Sequence, residues 1–235
     1  MEEFRTRRDF LAKSMVLGVG VGAAAVPLLS QKTPGKKEGA EEVSPTEDLM
    51  REHGALNRVL LIYEEIGHRM MNGKDFDPAT LGSAARIIKK FIEEYHEKLE
   101  EDHLFPRFEK AHKLTDLVAT LRTQHAAGRQ VTAKILQLAN ASTLKDDAQK
   151  QELLGSLHSF LRMYRPHEAR EDTVLFPALH QLVSQNEWDS MGEQFEGIEH
   201  QHFGGDGFEM MVDKIAGIEK TLGIYDLNQF TPQKP

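Results

Sequence analysis

The chain has 235 residues, a formal net charge of −8 and no cysteine, and 40% of its residues are hydrophobic. This length allows one large domain or two small ones. The lack of cysteine excludes a disulfide scaffold, a thiolate metal site and a cysteine nucleophile. The acidic balance argues against general binding to nucleic acid, which requires a basic surface. Eleven histidines are many for this length, and several of them recur at regular spacing along the chain.

Residues 1–30 have the layout of an export signal, with basic residues at 5–13 and an apolar stretch at 14–29. The pair Arg7-Arg8 resembles the twin-arginine motif, and the alanines at 23–25 offer a cleavage site. The alternative is an amphipathic helix or a membrane anchor, but the apolar run of about 16 residues is short for a span of roughly 20. We therefore expect a bacterial protein in the periplasm or another extracytoplasmic place. The twin-arginine machinery would export it, and the mature chain would have no membrane span.

The folded part is predicted to begin near Ser44. Residues 31–43 are rich in Lys, Glu, Gly and Pro and have almost no apolar side chains, which is typical of a flexible linker. We assign residues 44–203 to one helical domain and residues 204–235 to a C-terminal helix and tail.

Helical spacing of apolar residues and helix-capping signals recur through the folded part, and no stretch of five residues alternates like a strand. Since the loops are short, the sequence predicts an all-α fold, an antiparallel four-helix bundle with two shorter C-terminal helices. The six helices are expected at residues 44–72, 77–105, 115–139, 146–176, 184–201 and 208–222.

Proline sets several of these boundaries. Ser44-Pro45 and Asp77-Pro78 are helix starts, with a capping residue followed by proline at the first helical position. The second and fourth helices are expected to stop at Phe105-Pro106 and Phe176-Pro177, because proline breaks the helical hydrogen-bond pattern. Pro166 lies inside the fourth helix and is expected to kink it.

A repeated motif carries the chemistry. Residues 96–106 read HEKLEEDHLFP and residues 167–177 read HEAREDTVLFP, so that six of eleven positions are identical. His96 and Glu100 are four residues apart, as are His167 and Glu171, and each pair therefore shares one helix face with apolar residues. Burying such groups without partners is costly, and a bound metal ion would compensate. The alternative for each pair is an exposed helical ion pair, which the repetition disfavours.

The first and third helices each add one inward-facing histidine, His53 and His125. Each could instead be a hydrogen-bonded core histidine. Together with the two pairs they give four imidazoles and two carboxylates. Nitrogen and oxygen ligands without thiolate suit iron, manganese or zinc, and a carboxylate-bridged pair of ions in a helical bundle favours iron or manganese.

The order of these residues, with both Leu-Phe-Pro motifs, resembles the hemerythrin-like (HHE cation-binding) domain over about residues 45–200. The resemblance implies a four-helix bundle with a non-haem di-iron centre in its core, and iron in preference to manganese or zinc. It also implies that two of the ligands, Glu100 and Glu171, bridge the ions. The full implied ligand set is His53, His96, Glu100, His125, His167 and Glu171.

Two positions depart from the oxygen-carrying members of that family. The carriers have a further histidine four residues after the third-helix histidine, where this chain has Arg129. Its guanidinium could extend to the rim of the bundle or pair with a carboxylate beside the site. The carriers use an aspartate five residues after the fourth-helix histidine, and Asp172 stands there. We prefer Glu171 as the ligand, because both the repeat and the four-residue spacing select it.

The missing fifth imidazole favours binding of a small ligand such as O2, nitric oxide or peroxide over simple oxygen storage. Two other functions stay open: a di-iron redox enzyme, either peroxidase- or catalase-like or NO-reducing, and an iron-buffering module. His103 is expected at the rim of the site. His202 could supply the missing fifth imidazole, but we do not favour this. His200 is expected to point further outward than His202. The remaining histidines are predicted at the surface: His68, His112, His158 and His180.

Overall fold

A computed structural model describes residues 43–232. The predicted export signal at residues 1–30, and all of the predicted linker except Val43, lie outside the described residues. Within the described part every regular element is helical and no strand occurs, which confirms the all-α prediction. None of the helices between residues 43 and 232 is long and apolar enough to cross a membrane.

Six helices, which we number α1 to α6, account for nearly all of the described chain. Helices α2 (residues 78–111) and α4 (residues 147–179) are each built from consecutive α-helical and π-helical segments, and two short 3-10 turns lie at Thr143–Lys145 and Leu227–Phe230. The bounds are α1, Pro45–Met71; α2, Pro78–Ile87, Ile88–His96, Glu97–Leu99, Glu100–Leu104 and Phe105–Ala111; α3, Thr115–Leu138; α4, Asp147–Arg170, Glu171–Leu175 and Phe176–Leu179; α5, Gln185–Phe203; and α6, Gly207–Leu222.

The helix starts lie where the capping signals predict them. The Ser44 side chain accepts a hydrogen bond from the Glu47 backbone N–H at 3.2 Å, and Asp77 Oδ1 accepts one from the Ala79 N–H at 2.9 Å. Each capping oxygen satisfies a backbone donor that the first turn of a helix leaves unpaired.

The predicted stops at Phe105-Pro106 and Phe176-Pro177 are wrong, because α2 continues to Ala111 and α4 to Leu179. Each proline follows a π-helical turn, at the start of a new α-helical segment. In the first of these turns the N–H of Phe105 bonds to the carbonyl of Glu100, five residues earlier. A proline in the first turn of an α-helical segment needs no hydrogen-bond donor, so the chain stays helical beyond it.

The contacts between α1 and α4 show that these two helices run in opposite directions. His53 meets Asp172, and ten residues further along α1 the Tyr63 ring meets Phe160, earlier in α4, at 5.3 Å. The apolar faces of the helices meet in one buried core. Helix α6 packs against α1, where Arg58 Nε donates a hydrogen bond to Glu219 Oε1 at 3.0 Å.

Candidate metal centre

The structure brings together all six side chains that the sequence singled out. They come from α1, α2, α3 and α4, and none is more than 4% exposed. Three of them form one cluster whose ligand atoms lie within 4.8 Å of one another, and the other three form a second. The first cluster is His53, His96 and Glu100, and the second is His125, His167 and Glu171.

The four imidazoles form two facing pairs. The Nε2 atoms of His53 and His96 are 3.1 Å apart, and those of His125 and His167 are 3.2 Å apart. Two nitrogens that bind one ion at about 2.1 Å and at roughly a right angle lie about 3 Å apart. The pairs therefore have the separation that a shared ion requires.

Each imidazole is held by its other nitrogen. The Nδ1 atom of His53 lies 2.7 Å from Asp172 Oδ1, and that of His96 lies 2.8 Å from Glu52 Oε2. Since these oxygens can only accept, Nδ1 donates, and Nε2 is left to face the site. Two facing Nε2 lone pairs repel each other unless a proton or a metal ion lies between them.

The second pair of imidazoles is held in the same way. His125 Nδ1 donates to Glu101 Oε1 at 3.1 Å, and His167 Nδ1 donates to the Gln124 side-chain oxygen at 2.9 Å. Burial lowers the pKa of His125, so a proton is a poor substitute for a metal ion between these two rings.

These four acceptors were not predicted from the sequence as partners of the imidazoles. A signal was present, since two of them directly precede the lone histidines of α1 and α3, and two directly follow the glutamates of the repeat. They are Glu52, Gln124, Glu101 and Asp172. Asp172, the alternative ligand, accepts from Nδ1 of His53, on the side of the ring away from the cluster.

Both carboxylates of the repeat lie between the two imidazole pairs. Glu100 Oε2 is 3.8 Å from His96 Nε2 and 3.4 Å from His125 Nε2. Glu171 Oε2 is 3.4 Å from His53 Nε2 and 3.1 Å from His167 Nε2. Each carboxylate therefore contacts one imidazole of each pair, which is the placement of a bridging ligand.

These carboxylates fit a metal by a further observation. All four oxygens of Glu100 and Glu171 are buried, and none has a hydrogen-bond partner within the described chain. Native proteins rarely leave buried carboxylate oxygens in this condition, because the cost of desolvation is not recovered. A bound cation would satisfy them, and the donor set of imidazole nitrogen and carboxylate oxygen suits iron, manganese or zinc.

Protons occupy part of this site when no cation is bound. Burial, followed by the charge of Glu171, raises the pKa of Glu100 well above its usual range. Burial opposes a charge on His53, but the hydrogen bond with Asp172 and the nearby Glu171 carboxylate outweigh burial and raise its pKa to about 10. Burial likewise opposes a charge on Glu171, yet contacts with His167 and His53 lower its pKa. Cation binding at these groups therefore competes with protons.

The aromatic residues of the repeat cover the site. Phe176 stacks on His53 and Phe105 stacks on His125, in both cases with ring centroids 5.5 Å apart. Both rings are buried. The Phe of each Leu-Phe-Pro motif thus packs against an imidazole from the other half of the bundle, and it excludes water from that ring.

Arg129 adopts the second of its two expected placements. Its Nη2 atom donates to Glu97 Oε2 at 2.7 Å and to Glu101 Oε1 at 2.6 Å. Glu101 Oε1 also accepts from His125 Nδ1, so the guanidinium lies on the Nδ1 side of that ring, away from Nε2. Arg129 therefore holds the acceptor of the His125 imidazole and does not face the cluster. Burial raises the pKa of Glu97 to about 8, while Tyr164 and Arg129 oppose the rise.

The other histidines lie away from both clusters. His103 packs against Phe195 with ring centroids 5.5 Å apart. His202 is exposed and lies beside Tyr95 at 6.1 Å, and His200 is exposed. None of them joins the imidazole pairs. The four histidines predicted at the surface, His68, His112, His158 and His180, are all exposed.

A helical fold with two buried His–His–Glu clusters defines a metal-binding protein. The chain matches the hemerythrin HHE cation binding domain over residues 44–179 and again over residues 116–222. The chain belongs to this family. The two matches overlap across α3 and α4, the helices that repeat the ligand pattern of α1 and α2.

Three curated relatives are similar to this chain over nearly its whole length. They are Uncharacterized protein Mb2018 of Mycobacterium bovis and Uncharacterized proteins MT2051 and Rv1995 of Mycobacterium tuberculosis. Each is 46% identical over 232 residues, which covers 96% of this chain and 91% of the relative. No solved structure matches the chain.

Proposed function

We propose that this chain is an exported hemerythrin-like protein whose antiparallel four-helix bundle holds two iron ions and binds a small ligand such as O2, nitric oxide or peroxide. The observation that supports this most directly is the pair of facing imidazole couples, 3.1 and 3.2 Å between Nε2 atoms, with a carboxylate placed between them. Iron is the metal that the hemerythrin-like fold typically takes.

In this proposal the two clusters hold one ion each. His53 and His96 serve the first ion, and His125 and His167 serve the second. Glu100 and Glu171 bridge them, because each carboxylate reaches an imidazole of both couples. Two imidazoles and two carboxylate oxygens would hold each ion, and the bound iron would supply the chemistry for binding a small ligand.

The protein's own side chains prepare this site. The Nδ1 acceptors fix each imidazole so that Nε2 faces inward before any ion arrives. Phe105 and Phe176 keep bulk water from His125 and His53. Bound iron would supply the electron exchange and Lewis acidity that small-ligand binding requires.

Metal analysis tests the two-ion proposal. Fully loaded protein should contain two iron ions per chain, and Glu100→Ala or Glu171→Ala should lose most of the iron and melt at a lower temperature, because buried imidazoles then lack their ion. Glu94→Ala, on the outer side of α2 in an ion pair with Lys90, is the matched control and should keep both ions. One ion or fewer in the loaded unaltered protein would contradict the proposal.

Exposure of the reduced, iron-loaded protein to air separates the possible functions. A stable and reversible absorption band supports ligand binding as the function. Rapid irreversible oxidation supports a redox enzyme of the peroxidase, catalase or NO-reducing kind. No band together with easily removed metal supports an iron-buffering module, and it would overturn the ligand-binding proposal.

Export belongs to the proposal through the twin-arginine-like pair Arg7-Arg8 and the apolar stretch that follows it. The twin-arginine route carries folded proteins, which agrees with a metal centre assembled from four helices. We propose a periplasmic or other extracytoplasmic location on this basis.

A further inference from the structure

A cavity of about 740 Å³ lies between the end of α1 and the start of α4, and the proposed function does not use it. Its lining includes apolar side chains from both helices, among them Met70 of α1 and Leu154, Leu157 and Leu161 of α4. Ligand pockets in proteins are typically clefts of about 300 to 1,000 Å³ with mostly apolar walls. The cavity therefore has the size and the character of a small-molecule site.

Two glycines keep this space open. Gly67 of α1 and Gly155 of α4 both line the cavity. Apart from its own stretch of helix, a Cβ atom at either position would have no contact within 4 Å in the described part of the chain, although Gly67 is buried. The open space thus reaches the backbone of α1, and a flat ring could enter between the two helices.

The charges at the edge of the cavity favour a neutral ligand. The lining includes Glu64, Asp147 and Lys150, and Glu64 pairs with Arg165 at 2.5 Å. Two acids and two bases leave no surplus of positive charge. A phosphate or carboxylate group would need such a surplus to offset the loss of its hydration, so a neutral molecule fits better.

One histidine from each helix adds a hydrogen-bonding group to this edge. His68 of α1 and His158 of α4 line the cavity, and both are exposed. A neutral imidazole has one N–H that donates and one nitrogen that accepts. Two carbonyl oxygens on a flat apolar ring would match a pair of such donors, and protons could pass from this edge to the surrounding water.

A series of aromatic rings joins the wall of the cavity to the candidate metal centre. Tyr63 lines the cavity, and its ring centroid lies 5.3 Å from that of Phe160. The Phe160 ring stacks on Tyr164 at 4.2 Å, and the Tyr164 ring lies 5.5 Å from the His167 ring. All three aromatic side chains are buried. Rings in successive contact and shielded from water give an electron a continuous path from the cavity to the second cluster.

We propose that the cavity binds a quinone, and that the reduced form of this molecule, a quinol, supplies electrons to the iron centre along the series of rings. The electron transfer rests on the proposed function, because two ferric ions are its acceptors, whereas the binding does not. One quinol loses two electrons and two protons and becomes the quinone. Each ferric ion takes one electron and becomes ferrous, and the two protons pass to water at the edge that His68 and His158 line.

Calorimetric titration of the full chain with menadione, a quinone without a tail, tests the binding. We expect one menadione per chain. Gly67→Leu fills the cavity and should weaken binding at least tenfold. Gly197→Leu on α5, where a Cβ also meets nothing within 4 Å of the described chain, is the matched control and should bind as the unaltered protein does. No binding, or equal binding by the Gly67 and Gly197 variants, would overturn the site.

A double variant tests the imidazoles without disturbing the core. His68→Leu together with His158→Leu changes two exposed positions and should weaken menadione binding at least tenfold, because the carbonyl oxygens lose their donors. His200→Leu, at an exposed position on α5, is the control for loss of an imidazole and should have no effect. Unchanged binding by the double variant would refute the recognition of a quinone at this edge.

Anaerobic mixing of the ferric protein with menadiol, the quinol of menadione, tests the path of the electrons. Each menadiol should reduce two iron ions. Phe160→Leu interrupts the series of rings and should slow this reduction at least tenfold while menadione still binds. Phe91→Leu removes another buried ring outside the series and should leave the rate unchanged.

Two results of this experiment would count against the inference in different ways. Equal rates for the Phe160 and Phe91 variants would refute the path. A chain that holds no iron would refute the proposed function and the electron transfer together, and menadione binding to that chain would still support the cavity as a quinone site. Measurement of the iron content before each titration keeps these failures apart.

Discussion

At the scale of single residues, Gly128 of α3 has no side chain, and this leaves space for Tyr164 to reach the surroundings of the centre. The Tyr164 hydroxyl donates to Glu97 Oε1 at 2.7 Å, and the ring is 1% exposed. A Cβ at Gly128 would overlap that hydroxyl oxygen and lie 2.9 Å from Tyr164 Cζ. Gly128 does not have a positive φ, so glycine is needed there for space and not for backbone conformation.

Gly128→Ala should therefore destabilise the protein, although alanine is the better helix former by about 1 kcal/mol. The methyl group would displace Tyr164 and leave the buried Glu97 oxygen without its donor, which should cost about 1 to 3 kcal/mol net. Gly155→Ala on α4 is the matched control, because a Cβ there meets nothing within 4 Å; it should stabilise by up to about 1 kcal/mol. Urea unfolding measures both, and equal stabilisation by the two alanines would contradict this account.

That these six side chains come together could be predicted from the sequence, because a repeat and a four-residue spacing both report local helix geometry. The partners of the ligands could not, because they depend on which helices meet. Glu101 belongs to α2 but binds His125 of α3, and Asp172 belongs to α4 but binds His53 of α1. The sequence could not decide between the two placements of Arg129, because the carboxylates that hold it lie on another helix.

At the scale of helices, two π-helical turns begin at the glutamates of the repeat, Glu100–Leu104 in α2 and Glu171–Leu175 in α4. Such turns occur often at functional sites, where they alter the helical register. Pro106 follows the first turn, and the Glu101 carbonyl, five residues before it, accepts from Arg122 Nη2 at 3.2 Å. The side chain replaces a backbone donor that proline lacks.

Replacing three of the four prolines of α2 and α4, namely Pro106, Pro166 and Pro177, should therefore have unequal effects. Pro166 lies inside the α-helical segment Asp147–Arg170, so Pro166→Ala should restore a backbone hydrogen bond and stabilise by roughly 1 to 3 kcal/mol. Pro106→Ala and Pro177→Ala lie in the first turn of an α-helical segment and should change stability by less than about 1 kcal/mol. Chemical denaturation of iron-loaded protein gives the comparison, with iron content as the control. A gain for Pro177→Ala as large as that for Pro166→Ala would show that the π turn does not accommodate the proline.

The helix starts could be predicted because a cap is a local structure of a few residues, such as Ser44 with Glu47. The ends of α2 and α4 could not, because a proline after a π turn looks the same in sequence as a proline that stops a helix. In α2, the carbonyl that Pro106 leaves without a backbone donor is bound by Arg122 of a different helix, and the sequence of α2 alone does not reveal that contact.

At the scale of the whole molecule, folding and export are linked in the proposed function. Changing Arg7 and Arg8 together to Lys should leave unprocessed, iron-containing protein in the cytoplasm, because the twin-arginine route reads paired guanidinium groups and not charge alone. Cell fractionation with an antibody to the folded domain measures this. A variant with Arg58→Lys, in the folded domain, is the control for arginine loss elsewhere. Unchanged export of the double variant would exclude the twin-arginine route.

The contact between His53 and Asp172 joins positions 119 residues apart, close to the two ends of the four helices that supply the ligands. A chain emerging from the ribosome has His53, His96 and Glu100 long before it has the residues that complete their surroundings. Until α4 has been synthesised, His53 lacks both its Nδ1 acceptor and the carboxylate that reaches its Nε2. The two clusters can therefore close only after nearly all of the domain has been translated. In the proposed function, metal capture would thus come late in biosynthesis, after the earlier helices have packed together.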